Sequence, residues 1–322
     1  MKQYIIRRIL ISILVLFGVS VILYGLIRIM PGDYVQNATA GNPKITEEMR
    51  QNMRHIYGLD TGIVEGYFKW LGGALTGNLG NSFVYNEPVT KVIGSKMWTS
   101  FSLAAIAFII QVGLAIPLGI ISATRQYSRT DYALTTFAVI GISVPSFFLA
   151  AILQRIFAIG LKILPLSGMV TAREDYVGFR HILDVGWHFI LPIAVLVVIS
   201  IGSLMRYTRT NMLEVLNADY IRTARAKGLS EHSVIYTHAF RNTLIPIVTL
   251  IGGMIPTLFS GAIITETVFA IDGIGKTAFD CLKQGDIPLV MGFNMFLALL
   301  TLIGTLLSDV FYAVVDPRVR YS

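Results

Sequence analysis

Long stretches without a charged side chain recur six times along the chain. They cover residues 9–27, 97–124, 132–154, 185–205, 242–265 and 287–308, and each is between 19 and 28 residues long. About 20 apolar residues in a helix cross the hydrocarbon core of a bilayer. Helices buried in water-soluble proteins are rarely so long and so free of charge. The pattern therefore predicts about six transmembrane α-helices.

Composition supports a membrane protein. Hydrophobic residues make up 54% of the 322 residues and charged residues only 14%, against about 25% charged in an average soluble chain. Lys2, Arg7 and Arg8 precede the first apolar stretch, as in a secretory signal peptide. That stretch continues to about Met30 and ends without a small-residue cleavage pattern. We therefore expect a retained first helix rather than a cleaved leader.

The distribution of charge predicts the orientation. With six spans and a cytoplasmic N-terminus, the cytoplasmic pieces hold 13 basic and five acidic residues, whereas the external pieces hold 11 basic and 12 acidic residues. The cytoplasmic pieces are 1–8, 124–131, 206–243 and the tail after about Val315. Because basic residues accumulate on the cytoplasmic side of membrane proteins, both termini are predicted to be cytoplasmic. The net charge of +7 thus indicates topology and not nucleic-acid binding.

Residues near the predicted outer ends of the spans suit the membrane interface. Trp98 and Trp187 lie at the outer ends of the second and fourth spans, a depth at which tryptophan is common. Arg28, Arg155 and Glu266 are interpreted as interfacial anchors, with a gating role for Glu266 as the alternative. Asp309, near the inner end of the sixth span, is interpreted in the same way.

The external loop at 31–96 is long enough to fold into a lobe. Thr46 is a plausible N-cap for a short polar helix that begins at Glu47. Glycine and asparagine in residues 77–83 favour tight turns. This lobe could shield the outer mouth of the protein, dock an external partner, or do both.

The loop at 206–243 has the pattern of a compact helical projection. Leu213, Leu216, Tyr220 and Ala224 form one stripe at helical spacing. Gly228 is a natural C-terminal stop, and Ser230 can cap a second short helix. Two short amphipathic helices at a glycine elbow could present a knob to a soluble cytoplasmic protein. They could also lie on anionic lipid.

The sequence resembles the permeases of ABC importers, and more narrowly the B-type permease subunit of the dipeptide, oligopeptide and nickel branch. The principal match is the loop at 212–229 (MLEVLNADYIRTARAKGL) with 238–246 (HAFRNTLIP). Further matches run along the chain at 57–60 (YGLD), 77–83 (GNLGNSF), 117–120 (PLGI), 144–147 (VPSF), 164–165 (LP), 266–269 (ETVF) and 316–318 (DPR). One departure is that Arg222-Thr223-Ala224 replaces the Glu-Ala-Ala of the wider superfamily, and the Gly228-to-Pro246 separation is longer than usual. Both features are similar to the peptide branch.

The resemblance implies an all-α integral membrane protein with the type I ABC importer permease fold. Its divisions would be a first helix at 1–30, an extracytoplasmic lobe at 31–97, a five-helix core at 98–315 and a cytoplasmic tail at 316–322. It implies a multi-pass subunit of a bacterial or archaeal cytoplasmic membrane without its own ATPase site. The implied partners are a second, C-type permease, two ATP-binding subunits that bind ATP and Mg²⁺, and an extracytoplasmic peptide-binding protein.

The same resemblance implies that the loop forms a coupling helix that docks on an ATPase subunit. The residues assigned to this contact are Asp219, Tyr220, Arg222, Thr223, Ala224, Arg225, Lys227 and Gly228. The implied cargo is a di- or oligopeptide, with nickel chelates and oligosaccharides as alternatives. No cofactor is expected on this chain.

Residues 270–277 (AIDGIGKT) fit a relaxed phosphate-loop pattern. The first position is alanine, the preceding residues belong to an uncharged span, and the predicted orientation puts the segment outside, away from cytoplasmic ATP. We therefore reject nucleotide binding and expect a re-entrant or capping turn from Phe269 to Gly275, as in the resembled family.

Small and polar residues mark one face of the fifth predicted span, namely Thr249, Gly253, Pro256, Thr257 and Ser260. This face could serve helix packing or line a cargo path. An ion-driven transporter or channel would place charges at mid-depth, where each costs about 2.5–3.5 kcal/mol. The six stretches contain no Asp, Glu, Lys or Arg. A membrane-embedded enzyme would need paired acidic or histidine residues inside the spans, whereas His188 is expected to stand alone near an interface.

Overall fold

The computed structural model describes residues 2–42 and 45–315, which are largely helical. The predicted tail at 316–322, with Asp316, Arg318 and Arg320, lies outside these residues. The helices are α1 (Lys2–Ile29), α2 (Tyr34–Thr39), α3 (Glu47–Ile56), α4 (Ile63–Leu75), α5 (Val89–Thr124), α6 (Arg129–Ser143), α7 (Ser146–Leu153), α8 (Phe179–Leu216), α9 (Asp219–Ala226), α10 (Glu231–Ser233), α11 (Arg241–Met254), α12 (Ile263–Val268), α13 (Ile274–Gln284) and α14 (Ile287–Val315).

Among the described residues, four stretches are long and apolar enough to cross a bilayer. They are Leu10–Thr39, Val89–Thr124, Phe179–Leu216 and Ile287–Leu306. Two bent pairs, Arg129–Ser143 with Ser146–Gly160 and Glu231–Leu244 with Pro246–Phe259, raise the number to six when each pair is counted as one span. On that count each predicted stretch has a counterpart, and two of these counterparts are bent rather than straight helices.

The third predicted span is broken, which corrects the expectation of one helix over 132–154. α6 and α7 meet at 105° because Val144 is extended, with φ −80° and ψ 125°. Pro145 follows it, and proline disfavours the helical conformation of the residue before it. Proline alone does not break a helix here, since α5 continues through Pro117 and α8 through Pro192.

The fifth predicted span also differs from the expectation. Its helix begins at Glu231, continues through a π-helical stretch at Val234–Phe240 into α11, and ends in a 3₁₀ turn at Ile255–Phe259. The second short helix predicted after Gly228 is therefore the start of this long helix. The predicted span continued to 265, whereas residues 260–262 are not helical.

Contacts group the chain into two compact units. One contains the residues up to Ser100 together with Phe259–Ile263 and Gly273–Leu306, and the other contains Phe101–Leu258 and Ile264–Asp272. The four divisions drawn from the resemblance remain a prediction.

The first unit contains the folded lobe. Thr46 caps α3 as predicted, its hydroxyl accepting a hydrogen bond from the Met49 amide at 3.3 Å. Asp286 is fully buried at the N-terminus of α14, where it accepts from the Leu289 amide at 3.2 Å. Its other oxygen accepts from the Ser82 hydroxyl at 2.5 Å and from the Val84 amide at 3.1 Å. Asp286 thereby fixes the turn that follows the glycine-rich 77–83 segment onto α14.

The second unit is built on the close crossing of α6 and α8. A Cβ atom on Gly202 would lie 2.5 Å from the Ala138 carbonyl oxygen, and one on Gly141 would lie 2.5 Å from the Val198 carbonyl oxygen. Only glycine permits such an approach, as is usual where membrane helices cross closely.

Candidate functional site

The candidate site is the outward face of α9, in the second unit. Its inward face is apolar: Ile221 is fully buried and Ala224 nearly so. They pack with Ile120 and Ala123 of α5 and with Met212 of α8. Val234 and Ala239, from the start of the next helix, complete this cluster, which we call the α9 seat. Because α9 is only eight residues long, its position depends on this packing rather than on its own helical stability.

The other predicted coupling residues lie on the outward face. Six are exposed side chains, namely Asp219, Tyr220, Arg222, Thr223, Arg225 and Lys227, and Gly228 is exposed as well. The structure therefore brings these seven predicted residues together on one surface, with Ala224 turned inward. Tyrosine and arginine are among the residue types that most often contribute strongly to protein–protein contacts.

The glycine elbow after α9 is well defined. Gly228 has φ +76°, a conformation that glycine adopts readily. The Arg225 guanidinium donates to the Glu231 carboxylate at 2.7 and 3.3 Å across this elbow, and this ion pair raises the pKa of Arg225. Ser230 caps the following helix as predicted, accepting from the Ser233 amide at 3.4 Å.

The predicted stripe in this loop was wrong in register. α8 ends at Leu216 and α9 begins at Asp219, so Leu213 and Tyr220 do not belong to one helix. The break restarts the helical phase, with the result that Ile221 is buried and Tyr220 is 47% exposed. Asp219 in the first turn of α9 suits the positive end of a helix dipole.

The candidate path residues do not lie on one continuous helix. Thr249 and Gly253 are one turn apart on α11, and a Cβ on Gly253 would meet nothing within 4 Å. Thr257 is on the 3₁₀ turn, with its hydroxyl donating to the Met254 carbonyl at 2.6 Å. Ser260 follows the helix and belongs to the other unit. The prediction of a single helical face is therefore correct only for its first part.

Two predictions about polar residues near the predicted outer side need correction. Glu266 is fully buried and not a wet interfacial anchor. His188 is not alone, because its Nδ1 lies 2.8 Å from the Asp184 carbonyl oxygen and 3.4 Å from the Asp184 carboxylate. Asp184 is one helical turn earlier and also accepts from the Thr171 amide and hydroxyl, both at 2.7 Å.

The segment that resembles a phosphate loop has the wrong structural context for one. It follows a helix, α12, and not a strand. Ile271 is fully buried, and its amide donates to the Glu266 carbonyl oxygen at 2.8 Å to close the turn after α12. The Lys276 ammonium is 2.8 Å from the Asp280 carboxylate. These features agree with a capping turn after the fifth predicted span.

Sequence reasoning missed an ion pair beside the α9 seat in which the acid is buried and the base is partly buried. Asp131, at the start of α6, is 3% exposed and accepts two hydrogen bonds from Arg209 of α8, at 2.8 and 2.9 Å. In the sequence these residues are only two of the charges assigned to cytoplasmic loops. They are 78 residues apart, and no short-range spacing in one sequence pairs them.

The described residues define a largely helical, multi-span membrane protein with a short helix whose polar face is exposed. The chain belongs to the family described as binding-protein-dependent transport system inner membrane component, whose model matches residues 115–321. A companion model for the N-terminal part of these membrane components matches residues 1–104. The resemblance to ABC importer permeases is thereby confirmed, as is the type I permease fold.

Relatives cover the whole chain. It is 37% identical over 322 residues to the oligopeptide transport system permease protein AppB of Bacillus subtilis, which covers 100% of both chains. It is 36% identical over 323 residues to a putative peptide permease protein of Brucella ovis, again over 100% of both. It is 34% identical over 321 residues to the dipeptide transport system permease protein DppB of Lactococcus lactis, covering 99% of this chain and 100% of that one.

Proposed function

We propose that the chain is the permease subunit of an ATP-driven importer that translocates di- or oligopeptides. The peptide cargo is supported by relatives named as oligopeptide and dipeptide permeases that align over essentially their full length. An extracytoplasmic binding protein delivers the cargo. A second permease completes the membrane passage, and two ATP-binding subunits hold ATP and Mg²⁺ and perform the hydrolysis.

The observation that carries this proposal is the orientation of α9. Its Ile221 and Ala224 side chains are already buried within the protein, and its exposed side chains are polar or charged apart from the amphipathic Tyr220 and the small Ala226. A helix lying on lipid would direct its apolar face towards the membrane, which this packing prevents. A polar, outward-facing helix that packs on the α9 seat is suited to contact with a soluble protein.

In this proposal both termini and α9 are cytoplasmic, in a bacterial or archaeal inner membrane. Closure of the ATP-binding subunits displaces α9, and the helices attached to it rearrange as rigid bodies between inward-open and outward-open states. ATP binding must favour one of these states over the other for the cycle to proceed. Thr249, Gly253, Thr257 and Ser260 are proposed to line part of the cargo path.

The test is reversal of charge on the outward face of α9. The variant Arg222→Glu/Lys227→Glu changes exposed side chains and spares the Arg225–Glu231 pair. We expect it to lose co-purification of the ATP-binding subunits and at least about tenfold of peptide uptake, the equivalent of 1.4 kcal/mol of contact energy. Arg125→Glu, exposed on the turn between α5 and α6, is the matched control on the same predicted side. If Arg222→Glu/Lys227→Glu kept the association with the ATP-binding subunits and the peptide uptake that Arg125→Glu retains, the coupling assignment would be contradicted.

A further inference from the structure

The buried carboxylate of Asp131 joins three helices at one point. Arg209 of α8 donates to both of its oxygens through Nε and Nη2. Ser122, in the last turn of α5, donates its hydroxyl to Oδ1, and the Tyr127 amide in the α5–α6 turn donates to Oδ2 at 3.0 Å. Asp131 itself is in the first turn of α6. We call this group the Asp131 node.

The node is adjacent in sequence and structure to the α9 seat. On α8, Arg209 is one helical turn before Met212, which is fully buried against α9. On α5, Ser122 lies between Ile120 and Ala123, which pack in the same seat. Two of the helices that hold α9, namely α5 and α8, are therefore the two helices that the node fastens to α6.

Stability alone is a poor explanation for such a pair. The Asp131 charge is almost fully removed from water and the Arg209 charge partly, since their side chains are 4% and 23% exposed. Such removal costs free energy that the attraction repays only with good geometry, and apolar replacements of buried ion pairs are often as stable. What a two-pronged guanidinium–carboxylate contact adds is a fixed orientation. Here the orientation that is fixed is that of α6 relative to α8, because α6 begins at the node and crosses α8 again at Gly141 and Gly202.

We infer that the Asp131–Arg209 pair makes α6 move together with α9, so that displacement of α9 reaches the bent α6–α7 pair. The inference rests on the proposed function, in which an ATP-binding subunit moves α9. Asp131 and Arg209 are positioning residues in this scheme, since neither is placed on the outward face or on the cargo path. The 105° break at Pro145 is then the point at which α6 can change its angle to α7.

The experiment measures whether α6 and α9 remain a rigid body. Spin labels are placed at Thr136→Cys on α6 and Ala226→Cys on α9, both exposed positions, in a Cys281→Ala background. The complete transporter with its ATP-binding subunits is reconstituted, and the distance is recorded by pulsed EPR without nucleotide and with ATP trapped. With Asp131 and Arg209 unaltered, the distance between the two spin labels should be the same in both states. Asp131→Asn should shift or broaden the distance in the ATP state and raise the ATP hydrolysed per peptide by about tenfold.

Controls separate positioning from stability and from the proposed function. Arg54→Gln breaks a partly buried ion pair of the other unit, whose Arg54–Asp33 distance is 2.7 Å, and should leave the α6–α9 distance unchanged. If Asp131→Asn does not yield a folded complex, Arg209→Lys decides, because it keeps the charge and removes the two-pronged contact.

Suppose that Asp131→Asn lowers only the melting temperature and leaves the α6–α9 label distance and the ATP hydrolysed per peptide unchanged. That result would show that the pair only stabilises the protein, and it would overturn the inference. Failure of the unaltered chain to co-purify with ATP-binding subunits would instead overturn the proposed function, and this inference with it.

Discussion

The crossing of α6 and α8 makes a sharp prediction about a single methyl group. In Gly202→Ala, the new Cβ would lie 2.5 Å from the Ala138 carbonyl oxygen and 3.0 Å from a methyl carbon of Ile142. The first of these atoms is backbone, so a side-chain rotation cannot relieve the contact and the helices must separate. Gly186→Ala is the matched control on the same helix, because its Cβ would meet nothing within 4 Å.

The expected magnitude follows from two opposing terms. Overpacking at such a site costs about 1–3 kcal/mol, whereas replacing glycine by alanine inside a helix gains about 0.5–1 kcal/mol. Compared with Gly186→Ala, in which the favourable term is the same, Gly202→Ala should therefore lose about 1–3 kcal/mol of unfolding free energy, a difference of about 2–12 °C in melting temperature by the scaling for domains of 150–250 residues. Gly186→Ala has only the favourable term and should melt at or slightly above the unaltered protein.

Thermal unfolding of purified protein in detergent, followed by tryptophan fluorescence, compares the two variants under one condition. A Gly202→Ala protein that melts as high as Gly186→Ala would refute the reasoning, because it would mean that α6 and α8 do not approach as closely as this structure has them. The double variant Gly141→Ala/Gly202→Ala should lose less unfolding free energy than the sum of the two single variants, since one separation of the helices relieves both contacts.

Three further predictions concern the first unit. Asp286→Ala removes the acceptor for three donors and should lower the unfolding free energy by about 2–3 kcal/mol, seen as a lower melting temperature. Cys281 is buried, and burial raises the pKa of its thiol to about 12. A maleimide should therefore label less than about a tenth of it near neutral pH until the protein is denatured. Thr46→Ala removes the cap of α3 and should cost about 1 kcal/mol, measured as faster amide exchange in that helix alone.

The sequence was sufficient to locate the spans because lipid imposes a strong constraint. Every backbone polar group in the hydrocarbon must be satisfied within a helix, so the uncharged stretches correspond to helices. Helix caps and turn glycines could also be predicted, because they depend only on nearby residues. Thr46 and Ser230 cap their helices and Gly228 has positive φ, as expected from residue type alone.

Features that depend on residues far away in the chain could not be predicted from the sequence. The phase of α9 depends on the break at Asn217 and Ala218, which moves Ile221 and not Tyr220 onto the seat. A carboxylate at the end of an apolar stretch is compatible with water or with burial, and only the fold shows that Glu266 is buried. Proline likewise does not predict whether a helix breaks, because α5 and α8 accommodate Pro117 and Pro192 while Pro145 coincides with a break.

The candidate surface shows the same division between local and distant signals. The resemblance implies this segment and eight of its residues, of which the structure exposes seven and buries Ala224, and the structure adds the apolar packing that supports them. Ile120 and Ala123 of α5 are about a hundred residues earlier in the chain than α9, and their contribution could not be derived from the loop itself. The Asp131 node has the same origin, since its two charged members count in the sequence only as separate positive-inside and acidic residues.

The account depends most directly on the side of the membrane that α9 faces. Arg222→Cys in a Cys281→Ala background places one reactive thiol on its outward face. A membrane-impermeant maleimide should leave intact cells unlabelled, should label inside-out vesicles stripped of peripheral proteins, and should label them less once the ATP-binding subunits are restored. Labelling of intact cells from the outside would contradict the account, because no cytoplasmic ATPase could then reach this helix.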